Sequence, residues 1–222
     1  MLLREFELDL REAESGVRAD FCRRTRFVSA LYARGFPSSR GPDAVRTRGW
    51  KICVECVPVR TARAVVLAGG VYSPEVVFDY ERFVSLAEAD WPRMVLDALH
   101  TGALAVAESE LISSRPFENA REFVLEHNFV NEWIWSKPVS SPSRRLRAHL
   151  ACRQTSKAFT AWLTVTDKLG RVLERVEAVD TGPHEFQYLR RLGAVRWTTD
   201  ARVVMLDRDG REVVRVDTGS SC

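Results

Sequence analysis

The chain has 222 residues, of which 45% are hydrophobic and 28% charged, a composition that excludes wholesale disorder and suits one domain or two small ones. Its longest uncharged stretch, Ala64 to Pro74, is far shorter than the roughly 20 apolar residues of a membrane span. Charges begin at Arg4, too early for a signal peptide, so we expect a cytoplasmic protein.

Two patterns open the chain. Alternating hydrophobic residues over 3–10 predict a half-buried strand. Helical spacing predicts a helix over 20–34, although 27–32 would also suit a strand. Further strands, with a candidate bulge at Gly69-Gly70, are predicted over 50–59, 64–72 and 76–78.

The middle of the chain predicts two helices, over 91–111 and 116–135. A proline lies near the start of each, and Lys137-Pro138 follows the second, as helix boundaries require. A shorter helix capped by Asp79 precedes them. The Ser- and Pro-rich segment 136–144 is the best candidate linker.

The C-terminal third predicts hairpins and one short helix over 184–192. Two of its turns, Asp167–Gly170 and Asp207–Gly210, superpose when the chain is shifted by 40 residues. Either a duplication or the shared chemistry of Asp-x-x-Gly turns explains this similarity. The hairpin strands are predicted over 146–152, 159–166, 172–179, 203–206 and 212–216.

This order of strands, then helices, then strands predicts an α+β fold rather than alternating βαβ units. We expect antiparallel sheets, formed by the N-terminal strands and the C-terminal hairpins, packed around two central helices. The expected organisation is a single domain, 1–222, with a possible division into a mixed part, 1–136, and a hairpin part, 145–222.

No motif of a known catalytic or metal site is present in the sequence, so we predict no metal and no cofactor. The spacing of Cys53 and Cys56 is that of a redox or zinc pair, but in a strand these two side chains point to opposite faces. The weakest alternative is an enzyme with an unrecognised site, for which Asp97 and His100, one helical turn apart, are the candidate pair.

Charge is segregated along the chain, with a net charge of +8 over 17–63 and −8 over 75–132. Either the acidic middle pairs with its own basic flanks, or one charged surface faces a partner. Helical spacing places acidic side chains on one side of each of the two predicted central helices. Large apolar residues share that side of the second helix, and apolar residues among carboxylates are typical of a protein-binding face. The predicted partner-binding residues are Asp97, Glu108, Glu118, Glu122, Glu126, Phe129 and Trp133.

The leading hypothesis is therefore a non-enzymatic interaction module. Its more specific form is an immunity-type protein whose acidic helical face covers a basic toxin surface. This rests on functional analogy alone. The alternative is a nucleic-acid-binding module that uses the Arg-rich segment 17–63, although no nucleic-acid-binding motif supports it. Its candidate residues are Arg23, Arg24, Arg26 and Arg34.

Overall fold

The computed structural model of the protein describes residues 1–38, 41–61, 63 and 65–218. The chain divides into two compact units, Met1–Asn131 and Glu132–Cys222, called here the N-terminal and C-terminal units. Together they contain both helices and strands, which confirms the predicted α+β class. None of the helices in the described residues is long and apolar enough to cross a membrane.

The N-terminal unit combines a mixed sheet with four helices. Its elements are β1 (Glu5–Leu10), α1 (Ser15–Gly35), β2 (Lys51–Val57), β3 (Val66–Ala68), β4 (Val71–Ser73), β5 (Glu75–Val77), α2 (Tyr80–Ser85), α3 (Trp91–Ser109) and α4 (Arg115–Glu126). The segment 27–32 belongs to α1, so the strand alternative for it is wrong. Asp79 accepts a hydrogen bond from the backbone N–H of Arg82, which confirms the predicted cap of α2.

Strand β2 lies at the centre of this sheet and pairs in parallel with β1, β4 and β5, where antiparallel pairing was expected. β3 and β4 do pair antiparallel. Parallel pairing requires a crossover, and α1 supplies it between β1 and β2. β4 and β5 lie along β2 one after the other, with Pro74 between them. Gly69 and Gly70 both have positive φ and turn β3 back onto β4, so the predicted bulge is instead a hairpin turn.

The outer edge of β1 is protected by side chains from α1. Arg26 donates to the carbonyl oxygen of Phe6 at 3.0 Å. The Cys22 sulfur lies 3.4 Å from the carbonyl oxygen of Leu8. Unpaired carbonyl groups on an edge strand would otherwise be open to pairing with another chain. The hydrophobic side of the sheet and helices encloses a core rich in aromatic residues, including Phe6, Phe21, Tyr32, Phe83, Trp91 and Phe117.

The C-terminal unit contains antiparallel sheets with their own core. Its elements, counting the first strand from the boundary residue, are β6 (Asn131–Ile134), β7 (Val139–Ser140), β8 (Leu146–Gln154), β9 (Phe159–Asp167), β10 (Val172–Thr181), α5 (Glu185–Tyr188), β11 (Val195–Trp197), β12 (Arg202–Leu206) and β13 (Glu212–Asp217). One sheet has the order β10-β9-β8-β6, with β7 also paired to β8, and the other has the order β11-β12-β13.

The two predicted Asp-x-x-Gly turns have the same geometry. Gly170 and Gly210 have φ values of 83° and 80°, and Asp167 and Asp207 each accept backbone hydrogen bonds from within their own turns. The segment 136–144, expected to be a linker, contains β7 and so takes part in a sheet.

Candidate functional site

Five carboxylates of the predicted partner-binding face lie on two helices of the N-terminal unit. Asp97 and Glu108 are on α3. Glu118, Glu122 and Glu126 are on α4, and all five side chains are exposed. We call these five exposed carboxylates together the acidic face.

Asp97 is held in ion pairs within the chain. Its carboxylate lies 3.3 Å from Nε of Arg93, one turn earlier on α3, and 3.1 Å from Nη2 of Arg121 on α4. The ion pair with Arg121 joins α3 to α4. Asp97 is therefore largely neutralised, as the internal-pairing interpretation of the charge pattern expects for an acidic residue.

The three α4 carboxylates form a row, because residues four apart share one side of a helix. Glu118 accepts a hydrogen bond from the Ser114 hydroxyl at 2.7 Å. Within the described part of the chain, none of Glu118, Glu122 and Glu126 forms an ion pair with a basic side chain. Like charges in this arrangement destabilise a helix by about 0.2–0.5 kcal/mol per pair.

Helix α4 is shorter than the predicted helix 116–135, and both predicted apolar residues, Phe129 and Trp133, lie beyond its end. α4 ends at Glu126, and Asn128 and Phe129 both adopt left-handed backbone conformations, with φ of 47° and 60°. The amide of Phe129 bonds to the Val124 carbonyl, so the helix closes there.

Phe129 and Trp133 accordingly do not continue the α4 row. Phe129 packs, partly buried, against the core of the N-terminal unit. Trp133 lies on β6 and packs against the core of the C-terminal unit. The prediction of a single helical face that joins these two rings to Glu118, Glu122 and Glu126 was wrong, because a left-handed turn interrupts the helix.

A different apolar side chain is exposed close in sequence to Glu108. Leu111 follows the C-terminus of α3, has 93% of its surface exposed and adopts a left-handed φ of 54°. Glycine or asparagine is the usual residue at such a position, since a Cβ atom causes strain there in most other residues. Sequence reasoning missed Leu111, although a leucine two residues after the end of α3 and next to Glu110 is the available signal.

Glu108 and Glu110 lie at the C-terminus of α3, where the helix dipole disfavours acidic side chains. A basic partner compensates one of the two. Arg48 donates from Nε and Nη2 to the carboxylate of Glu110, at 2.8 and 2.6 Å, and this contact holds the pKa of Glu110 below its usual range. In the described residues Glu108 has no such partner. Glu108 therefore remains an uncompensated anion near the negative end of the helix dipole.

The candidate catalytic pair is not formed. Asp97 contacts arginines, whereas Nδ1 of His100 lies 3.2 Å from the Tyr32 hydroxyl. Burial, followed by the charge of Arg121, lowers the pKa of His100. The partner of Nδ1 is thus a tyrosine of the core and not Asp97.

The four arginines of the nucleic-acid alternative contact their own unit. Arg23 pairs with Asp20, and Arg24 lies over the rings of Phe83 and Trp91. Arg26 donates to the backbone of β1, and Arg34 donates to the side chain of Asn131 at 2.6 Å. Arg23 and Arg24 share Asp20 as a partner, whereas Arg26 and Arg34 are held by contacts elsewhere in the unit, so the four guanidinium groups do not form one open patch.

Comparison with known proteins found no matching protein-family model, curated protein or solved structure. Within the described ranges, no group of three or more His, Cys, Asp or Glu side chains is placed to hold a metal ion.

Proposed function

We propose that this protein is a non-enzymatic protein-binding module whose acidic face binds a basic surface on a partner protein. The observation that carries the proposal is the row formed by Glu118, Glu122 and Glu126, which stands exposed on α4 without basic partners among the described residues. Three like charges in one row weaken the helix, and a cationic partner would remove that cost.

The row favours an extended partner over a bound ion. In the described residues no group of three or more His, Cys, Asp or Glu side chains, this row included, is placed to hold a metal ion. Lysine and arginine side chains on a protein surface can instead meet each carboxylate separately. Complementary charge of this kind accelerates association and gives specificity.

Leu111 supports a protein as the partner. Interfaces combine a desolvated apolar anchor with a charged rim, and Leu111 offers an exposed side chain close in sequence to Glu108 and α4. We assign it the anchoring role that the sequence alone assigned to Phe129 and Trp133. A partner pocket that takes Leu111 would bring its basic rim against the neighbouring carboxylates.

The more specific form of the proposal is an immunity-type function, in which the acidic face covers the basic nucleic-acid-binding surface of a toxin. The support is functional analogy together with the sign of the charge. A nuclease must attract phosphate groups and so presents the arginines and lysines that a carboxylate row would bind. The acidic face provides no equivalent attraction for nucleic acid itself.

Selection from a displayed peptide library tests the proposal. Peptides selected on the wild-type protein should be rich in Lys and Arg, and their association rates should fall as salt is added. Their affinity should drop at least tenfold for the triple variant Glu118→Lys, Glu122→Lys and Glu126→Lys. Leu111→Ala should weaken the same peptides.

The matched control reverses three exposed carboxylates outside the acidic face, namely Glu14, Glu174 and Asp209, to Lys. It changes the net charge by the same amount and should leave the affinity of the selected peptides within about twofold. If the two triple variants lose binding equally, or if the selected peptides are not basic, the acidic face is not the binding site.

A further inference from the structure

A second feature of the N-terminal unit lies apart from the acidic face. A cleft of about 540 Å³ opens where the ends of β1 and β2 meet β5 and the first turn of α2. Its floor is formed by the buried side chains of Leu10, Cys56 and Phe78. Clefts of this size and apolar character accommodate small organic molecules.

The charged groups around this cleft are all acidic. Glu12, Asp79 and Glu81 line it and are exposed, so they lie at the rim above the buried floor. Asp79 accepts the backbone N–H of Arg82, but no ion pair to a basic side chain is formed by any of the three within the described residues. No arginine or lysine is among the described residues that line the cleft.

An adjoining cleft has a different set of charged residues, so the acidic lining of the first cleft does not follow from its place next to β5. The second cleft, of about 440 Å³, shares Val77 and Phe78 with the first. Its lining includes two aspartates, Asp90 and Asp97, balanced by Arg82 and Arg93. The two clefts next to β5 therefore differ in charge. The lining of the second is balanced, whereas that of the first is acidic and contains no basic side chain among the described residues.

We propose that the first cleft binds a small amphipathic organic cation, that is, a protonated amine attached to an apolar group. The apolar group would occupy the space over Leu10 and Phe78, and the ammonium would face the rim carboxylates. Tyr80 also lines the cleft, and aromatic faces attract cations. Burial raises the pKa of the Cys56 thiol, so the floor stays uncharged.

Three probes of similar size and different charge test this inference on the full chain. They are 2-phenylethylammonium, the neutral 2-phenylethanol and the anionic 3-phenylpropionate. Titration followed by two-dimensional amide NMR should show the cation binding at least tenfold more tightly than the alcohol. The shifts should centre on Ala13, Val77 and Tyr80, and the carboxylate probe should cause none of them.

Substitutions at the rim localise the interaction. Glu12→Gln and Glu81→Gln should each weaken the cation roughly twofold to fivefold, the range expected for an exposed charge pair. Asp90→Asn, in the adjoining cleft, should not change its affinity. Val77→Trp is an independent check. Its large side chain on this exposed wall narrows the cleft and should weaken binding of the cation.

Several outcomes would overturn the inference. They are equal affinity for the three probes, shifts centred on another part of the molecule, or no shift with any probe up to about 10 mM. Loss of cation binding in Asp90→Asn but not in Glu12→Gln or Glu81→Gln would also contradict it. These results are independent of peptide binding to the acidic face, because neither Glu12 nor Glu81 belongs to it.

Discussion

The Tyr32 hydroxyl, buried in the core of the N-terminal unit, links His100 on α3 to the backbone carbonyl of Phe117 on α4. The hydroxyl oxygen lies 3.2 Å from Nδ1 of His100 and 3.1 Å from the carbonyl oxygen of Phe117. Since a hydroxyl carries one proton, donation to the carbonyl requires that Nδ1 carry the imidazole proton and donate to Tyr32. Burial and the nearby charge of Arg121 favour the neutral form of the ring.

This arrangement predicts a stability change with pH. Burial and Arg121 lower the pKa of His100 in the folded state, while Glu118 and Asp97 oppose the change. The unfolded chain, with a pKa of about 6.5, then binds the proton first as the pH falls. The stabilising contribution is therefore complete above about pH 6.5 and is lost as the pH falls through the folded-state pKa.

Urea unfolding of the wild type and His100→Gln at pH 7.5 and pH 5 measures this effect. The wild type should lose more free energy of unfolding on acidification than the variant does. His149, whose pKa is also lowered by burial and by Arg175, is present in both proteins and cancels in the comparison. An identical loss in both proteins would show that His100 is not responsible.

Glu110 should stabilise the fold through Arg48. Its side chain is only 6% exposed, while that of Arg48 is 70% exposed, so solvent screening limits the contribution of the pair to about 1 kcal/mol. Glu110→Gln should lower the free energy of unfolding by roughly that amount at pH 7. Because the folded-state pKa of Glu110 is depressed, the difference from wild type should shrink below about pH 4. A difference that persists at pH 3 would point to packing instead of charge.

Two glycines should respond to alanine in opposite ways. A Cβ at Gly102 on α3 would lie 2.5 Å from Cγ2 of Val54 on β2, whereas a Cβ at Gly16 on α1 would meet nothing within 4 Å. Gly102→Ala should cost about 1–3 kcal/mol through overpacking. Gly16→Ala should be neutral or stabilising by up to about 1 kcal/mol, since alanine is the better helix former. Thermal unfolding of both variants compares the two, and equal midpoints would contradict the close packing of α3 on β2.

The charge row predicts a substitution that improves stability and impairs binding. Glu122→Lys would replace two like-charge neighbours with two opposite-charge pairs, to Glu118 and Glu126. The free energy of unfolding should rise by about 0.5–1 kcal/mol. The pair with Glu118 should contribute the larger share, because an acidic residue that precedes its basic partner along the helix is oriented favourably in the helix dipole. Guanidinium unfolding measures the gain, and the selected basic peptides should bind this variant less tightly. A destabilised Glu122→Lys protein would mean that Glu122 has favourable contacts in the wild type.

Local sequence signals predicted most of the elements. Alternation identified β1, helical spacing identified α1 and α3, and the Asp-x-x-Gly turns placed the C-terminal hairpins. The end of α4 was misjudged because hydrophobic spacing continues through Phe129, Val130 and Trp133 after the helix has closed. Asn128, which tolerates a left-handed conformation, was the local sign of that closure.

The candidate sites were less predictable. Helical spacing found the exposed carboxylates of α3 and α4, but it could not show that Asp97 is neutralised by Arg121 from the neighbouring helix. The apolar anchor was assigned to the wrong residues, because exposure depends on which surfaces pack together. The cleft over Cys56 gave no signal in the sequence, since its lining comes from three separate segments.

The amino-acid sequence by itself specified the α+β class, the positions of most helices and strands, and the concentration of carboxylates in the middle of the chain. These properties depend on residue periodicity and turn chemistry, which act over a few neighbouring residues. The parallel pairing of β1 with β2, the contact of Arg48 with Glu110 and the two clefts arise only when distant segments pack. Their selection depends on burial and side-chain fit over the whole unit, which no local pattern encodes.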